Sequence, residues 1–136
     1  MASRLLSWLR RRARAIRHRW RWQVRLEAGR IVAVHPEGDQ CSVALAGLHA
    51  VVIETNDTGP FGDDCWWQLY QDAGGAPACA FPQSAIGQQD VVNALMALPG
   101  FDPMTMLLAM GSTENARFPV WTRPQGQPPA DTAAPG

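Results

Sequence analysis

Between residues 19 and 83, six short segments of β-type apolar patterning follow one another with no helix-length pattern between them. This order restricts the fold more than any other feature of the chain. Strands joined by short turns pair antiparallel, because a parallel pair needs a crossover of a dozen residues or more. A parallel nucleotide-binding sheet, with strand and helix alternating, is therefore disfavoured. In RWRWQVRLE, Trp20, Trp22, Val24 and Leu26 alternate with Arg19, Arg21, Gln23, Arg25 and Glu27, which predicts a strand with one face buried. EAGR turns the chain back into RIVAVH, and CSVAL, VVIETND, DCWWQLYQ and PACAFPQ predict four further strands. Pro77 and Pro82 put the last of these at an edge or make it short. Trp66 and Trp67 are adjacent, so in a strand one anchors the core and the other sits on the opposite face.

Two helical patterns follow. GQQDVVNALMAL, residues 87–98, places Val91, Val92, Leu95 and Leu98 on one stripe and is stopped by Pro99 and Gly100. DPMTMLLAMG has Asp102 as N-cap, Pro103 at the first helical position and Gly111 as terminator. STENARFPVWT then reads as a loop and a closing strand whose Phe118 and Trp121 need apolar cover. The expected class is α+β: an antiparallel, bent sheet or partly open barrel of about six to seven strands with C-terminal helices. That arrangement is analogous to the pleckstrin-homology-like architecture, an analogy of fold that carries no activity.

The net charge of zero hides a strong polarity. Residues 1–30 hold ten arginines and one acid, Glu27, whereas residues 31–136 hold two arginines, Arg117 and Arg123, and eleven acids. Residues 1–18 predict a short amphipathic helix, with Leu5, Leu6, Trp8, Leu9, Ala13 and Ile16 as its apolar residues. Arg4, Arg10, Arg11, Arg12, Arg14 and Arg17 supply the basic ones. Leu5, Trp8, Leu9, Arg10, Arg11, Arg12, Arg14 and Arg17 are thus candidates for contact with an anionic membrane surface. The same segment suits docking on the chain's own acidic domain or on a protein partner. Nucleic acid is disfavoured, because no recognition motif accompanies the arginines. Residues 19–123 form the expected globular domain, and residues 124–136, rich in proline, glycine and alanine, predict a disordered tail.

TNDTGPFGDDCWWQLY, residues 55–70, is the stretch that most resembles a site. It fails as a calcium loop: the third position is no acid, and no glutamate stands at position twelve. Asp63 and Asp64 are adjacent and would point to opposite faces of an extended segment. GPFG suits a turn between strands, with Pro60 fixing φ. Cys41, Cys65 and Cys79 show no CxxC spacing, and His18, His35 and His49 are scattered. These six predict neither a disulfide framework nor a metal site, and a reducing cytoplasm is the expected home. No metal or other cofactor is expected. No apolar run reaches the roughly 18 residues of a membrane span, so the expectation is a cytoplasmic chain, peripheral at the inner face of the membrane if its basic helix attaches there.

IETNDTGPFGDDCWWQL, PQSAIG, LMALPGFD and AMGSTENARFPVW together resemble a family of small bacterial proteins with no established activity. The shared pattern is E-T-x-D-x-G-P-F-x-x-D-x-x-W, then L-P-G-F-D, then S-T-x-N-x-x-F-x-x-W. Glu54, Thr55, Asp57, Gly59, Pro60, Phe61, Asp64 and Trp67 fall on the first motif, residues 98–102 on the second, and Ser112, Thr113, Asn115, Phe118 and Trp121 on the third. The resemblance covers residues 48–121 and implies the domain limits, but no reaction.

The functional expectation is a non-enzymatic binding or adaptor module with Glu54, Asp57, Asp63, Asp64, Asn115 and Arg117 as candidate partner-binding residues. One alternative is an antitoxin-like immunity protein whose acidic domain complements a cationic toxin. The other is a hydrolase using Asp57 and Asp64, which requires Asn115 and Arg117 to meet them in one pocket.

Overall fold

A computed structural model describes residues 21–57 and 64–124. The expected basic N-terminal helix, the expected GPFG turn with Asp63, and the expected tail beyond Pro124 lie outside the described residues. The first hairpin shows how closely local chemistry dictates local shape. Strands β1 (Gln23–Glu27) and β2 (Arg30–Val34) are joined by Ala28 and Gly29 alone, at φ 50° and 77°. Positive φ at both central positions gives the turn whose twist matches a two-residue hairpin. Glycine accepts that conformation freely, whereas Ala28 adopts it against its Cβ.

Strand β3 (Gln40–Ala44) adds to β2, completing a three-stranded sheet in the order β1-β2-β3. Strands β4 (Ala50–Thr55), β5 (Cys65–Tyr70), β6 (Cys79–Pro82) and β7 (Ala116–Thr122) form a four-stranded sheet in the order β6-β5-β4-β7. All of these strand pairings are antiparallel. With helices α1 (Gln88–Met96) and α2 (Pro103–Met110), the fold is α+β as the sequence implies.

The strands divide between two sheets instead of continuing as one bent sheet. The reason lies in β4, whose two edges are taken by β5 and β7, leaving none for β3. A short 3-10 turn, Leu45–Gly47, carries the chain from one sheet to the other. Both proline-containing strands are edges. Pro82 ends β6, and Pro119 sits in β7 where the register slips between Val51 and Val52. A bulge on an edge is a position where a missing N–H costs the ladder little.

Two features stitch the sheets together. Ile86, just beyond β6, donates its N–H to the Trp22 carbonyl and accepts from the Val24 N–H, each at 2.9 Å, which makes a parallel bridge to β1. Cys41 of β3 and Cys79 of β6 form a disulfide across a Cα–Cα distance of 5.4 Å. This corrects the expectation that the cysteines make no disulfide. The two residues stand 38 apart on strands of different sheets, a juxtaposition that spacing cannot reveal. The cysteines therefore no longer argue for a reducing compartment, since such bonds persist where the surroundings are oxidising. Among the described residues, no helix is long and apolar enough to cross a membrane.

The core lies between the inner faces of the sheets. Ile31, Ala33 and Val43 from one sheet meet Val51, Ile53, Trp67, Leu69 and Phe81 from the other, with Val91 and Leu95 of α1 alongside. Trp67 is the inward tryptophan and Trp66 the outward one. Leu26, expected to face inward, is 41% exposed beside the hairpin turn.

Helix α1 begins at a position that only glycine tolerates. Gly87 has φ 89°, and a Cβ there would lie 2.3 Å from the Val24 carbonyl oxygen. Backbone cannot yield as a flexible side chain can. Gly87→Ala is expected to cost more than the roughly 1–3 kcal/mol of a left-handed non-glycine residue alone. A urea melt would check this; a loss under about 1 kcal/mol would mean that the Ile86 bridge gives way at little cost.

Candidate binding face

The outer face of the four-stranded sheet carries the most connected polar cluster. Residues two apart along a strand share a face. Val52 and Glu54 on β4, Trp66, Gln68 and Tyr70 on β5, and Arg117 on β7 therefore point outward together. Gln68 Nε2 donates to Glu54 Oε2 at 2.7 Å, and the Tyr70 hydroxyl donates to Gln68 Oε1 at 3.0 Å. Arg117 reaches across β4, where its Nη2 donates to the Tyr70 hydroxyl at 2.8 Å and its Nη1 stands 3.6 Å from Glu54 Oε2. Its guanidinium carbon lies 5.8 Å from the centre of the Tyr70 ring. The Tyr70 hydrogen bond is the main cause of a guanidinium pKa raised above its ordinary value, with Glu54 adding to it. The result is a presented pair of opposite charges on a rigid platform. Arg117 and Glu54 keep 57% and 42% of their side chains exposed, while Tyr70 beneath them is buried.

Trp66 extends this face toward the other sheet. Its ring meets Trp22 edge-on with centroids 5.4 Å apart, and Trp22 meets His35 in the same way at 4.9 Å. His35 Nδ1 also accepts from the Glu37 N–H, which makes it a turn-building residue.

The two expected motif segments do come together, but on the inner side of the sheet edge. Thr55, buried, donates to the Glu114 carbonyl at 2.7 Å, and its hydroxyl oxygen stands 3.4 Å from that of Ser112. Asn115 Oδ1 accepts from the Asp57 N–H at 3.2 Å, and the Asn56 N–H bonds to the Asp64 carbonyl at 3.0 Å. Of the six candidate partner-binding residues, Glu54 and Arg117 meet directly, and Asp57 and Asn115 meet through a backbone amide. Asp64 borders them at the start of β5, and Asp63 lies outside the described residues. Leu5, Trp8, Leu9, Arg10, Arg11, Arg12, Arg14 and Arg17 lie outside them too. Arg117 is turned toward Tyr70 and Glu54, and the Asn115 oxygen accepts from the Asp57 backbone.

Sequence reasoning missed Gln68 and Tyr70. Their period-two spacing with Trp66 was visible, but which strand would lie opposite was not. It is the Glu54–Arg117 register that turns them into supports.

Cys65 is the unpaired cysteine among the described residues. Burial first, and then the neighbouring Asp64, push its thiol up to about 11 from an ordinary 9.0. Because the thiolate is the reacting species, Cys65 is expected to alkylate with iodoacetamide at pH 8 roughly a hundredfold more slowly than a small-molecule thiol. Mass spectrometry over time would check this, and a rate equal to the free thiol's would refute the burial argument. Such a thiol is poorly suited to nucleophilic catalysis. No cluster of three or more His, Cys, Asp or Glu residues that could hold a metal occurs among the described residues.

Two recesses of about 200 and 210 Å³ open among the described residues, one between Leu98 and Arg123 and one beside Trp22, His35 and Cys41. Both are smaller than the roughly 300–1,000 Å³ of typical small-molecule pockets. Comparison of the chain with protein-family models, curated proteins and solved structures finds no match.

Proposed function

We propose that this domain is a non-catalytic binding module that takes a protein partner on the outer face of its four-stranded sheet. The observation that carries this reading is the Glu54–Gln68–Tyr70–Arg117 network, in which half-exposed charges are held by a buried tyrosine. Fixed charges over a rigid base lose little side-chain freedom on binding, which favours recognition. An arginine over an aromatic ring is also the kind of group that dominates protein interfaces.

The test compares the full chain with Arg117→Glu and Tyr70→Phe as affinity baits. A partner retained by the native chain and lost on Arg117→Glu, with an unchanged melting curve, supports the reading. Tyr70→Phe should weaken retention less, because it frees the guanidinium without reversing its charge. A partner held equally by all three would overturn the assignment of this face.

The excess of acids over arginines in residues 31–136 favours a cationic partner, as in an immunity protein that neutralises a basic toxin. Retention that falls steeply with salt, together with a basic isoelectric point of the captured protein, would mark that case.

A further inference from the structure

Helix α2 leaves most of its apolar surface bare. Met104, Leu107 and Leu108 are 68%, 59% and 66% exposed, and Ala109 is the only residue of the helix that is buried. Their spacing of three and four places them on one stripe. Asp102 stands at the start of this ridge and Glu114 just past its end, and the helix itself carries no charge. An apolar ridge with an acidic rim asks for an apolar segment with basic flanks.

This chain contains one. Residues 1–20 hold seven arginines and no acid, whereas residues 21–124 hold five arginines and eleven acids. Hydrogen bonds place the beginning of the described chain on the same side of the molecule as the end of α2. Arg21 Nη2 donates to the Ser84 carbonyl at 3.0 Å, and the neighbouring Gln83 N–H to the Cys65 carbonyl at 2.8 Å. Cys65 pairs with Thr55, and Thr55 bonds to Glu114 and Ser112 beyond the last turn of α2. The separation therefore crosses β6, β5 and β4, roughly 10–15 Å at the usual strand spacing. Residues 18–21, extended, span up to roughly 11 Å, which covers most of that separation. A helix over residues 3–18 would be roughly 24 Å long, enough to cover the roughly 12 Å of α2.

We propose that residues 3–18 dock in cis on the exposed ridge of α2. Leu5, Trp8 and Leu9 lie against Met104, Leu107 and Leu108, and the arginines face the acidic rim. An anionic bilayer is a poorer occupant of the ridge, because the acid excess of the domain opposes its approach.

A benzophenone amino acid in place of Leu108 in the full chain tests this, since the position is exposed and its replacement leaves the core intact. Irradiation of an equal mixture of ¹⁵N-labelled and unlabelled chains, followed by peptide mass spectrometry, identifies what touches the ridge. The expected result is a cross-link to residues 3–18 within one chain, lost on Leu5→Glu with Leu9→Glu and weakened by salt. Mixed-label cross-links would show that a second copy is the occupant and overturn docking in cis. No cross-link to residues 3–18 would overturn it equally. So would one that survives the double glutamate variant, or one that vanishes only when phosphatidylserine vesicles are withheld.

Discussion

Replacing both Cys41 and Cys79 with serine in the full chain is expected to lower the unfolding free energy by about 4 kcal/mol, the chain-entropy value for a loop closed across 38 residues. That is a large part of the roughly 5–15 kcal/mol available to a domain of ordinary size. The bond joins β3 of one sheet to β6 of the other. Apart from core packing, it shares that work with the Ile86 bridge, so its loss should ease the two sheets apart before either loses its own ladder. Urea melts of the native chain and the variant would read the effect, and thiol titration of the native chain in denaturant should rise from one thiol to three on reduction. An unchanged melt after full reduction would show that the unfolded chain is not constrained by this loop, or that the native sheets need no clamp.

How far the sequence anticipates this depends on whether the information is local. The caps of α2 are local. Asp102 accepts from the Thr105 N–H at 3.1 Å and from its hydroxyl at 2.7 Å, Pro103 opens the helix and Gly111 ends it, all as the residue types require. The strands are local too, because period-two patterning needs no knowledge of neighbours. What could not be read is which strands neighbour each other. The placement of β7 beside β4 splits the sheet in two, brings Arg117 over Tyr70 and joins Thr55 to Ser112. It also leaves α2, apolar almost all round, resting on the core through Ala109 and the half-buried Met106 while Met104, Leu107 and Leu108 stay exposed. Nothing in DPMTMLLAMG distinguishes a helix buried on every side from one waiting for cover. The disulfide belongs to the same class: each cysteine is unremarkable until two sheets face each other.

Trp67→Ala is expected to cost about 3–5 kcal/mol, the range for removing a large aromatic from a core. Every local term points the same way. Trp67 is fully buried, paired across the sheet with Ile53 on one side and Phe81 on the other. Its ring lies nearly parallel to that of Phe81, 6° apart with centroids at 6.3 Å. Its indole N–H donates to the Gln83 side-chain oxygen. Truncation would open a cavity in the core beside Ile53 and Phe81 and leave the Gln83 oxygen without this donor, two separate costs. Trp67→Phe is milder: a six-membered ring remains, and the hydrogen bond is lost with a smaller volume, for about 1–3 kcal/mol together. Trp66→Ala supplies the control, because that ring is half-exposed on the opposite face and should cost clearly less. Chemical denaturation of the three variants gives the ordering Trp67→Ala, then Trp66→Ala and Trp67→Phe well below it. If Trp66→Ala proved the more damaging, the outer face would be part of the core, and the binding surface proposed on it would have to be sought elsewhere.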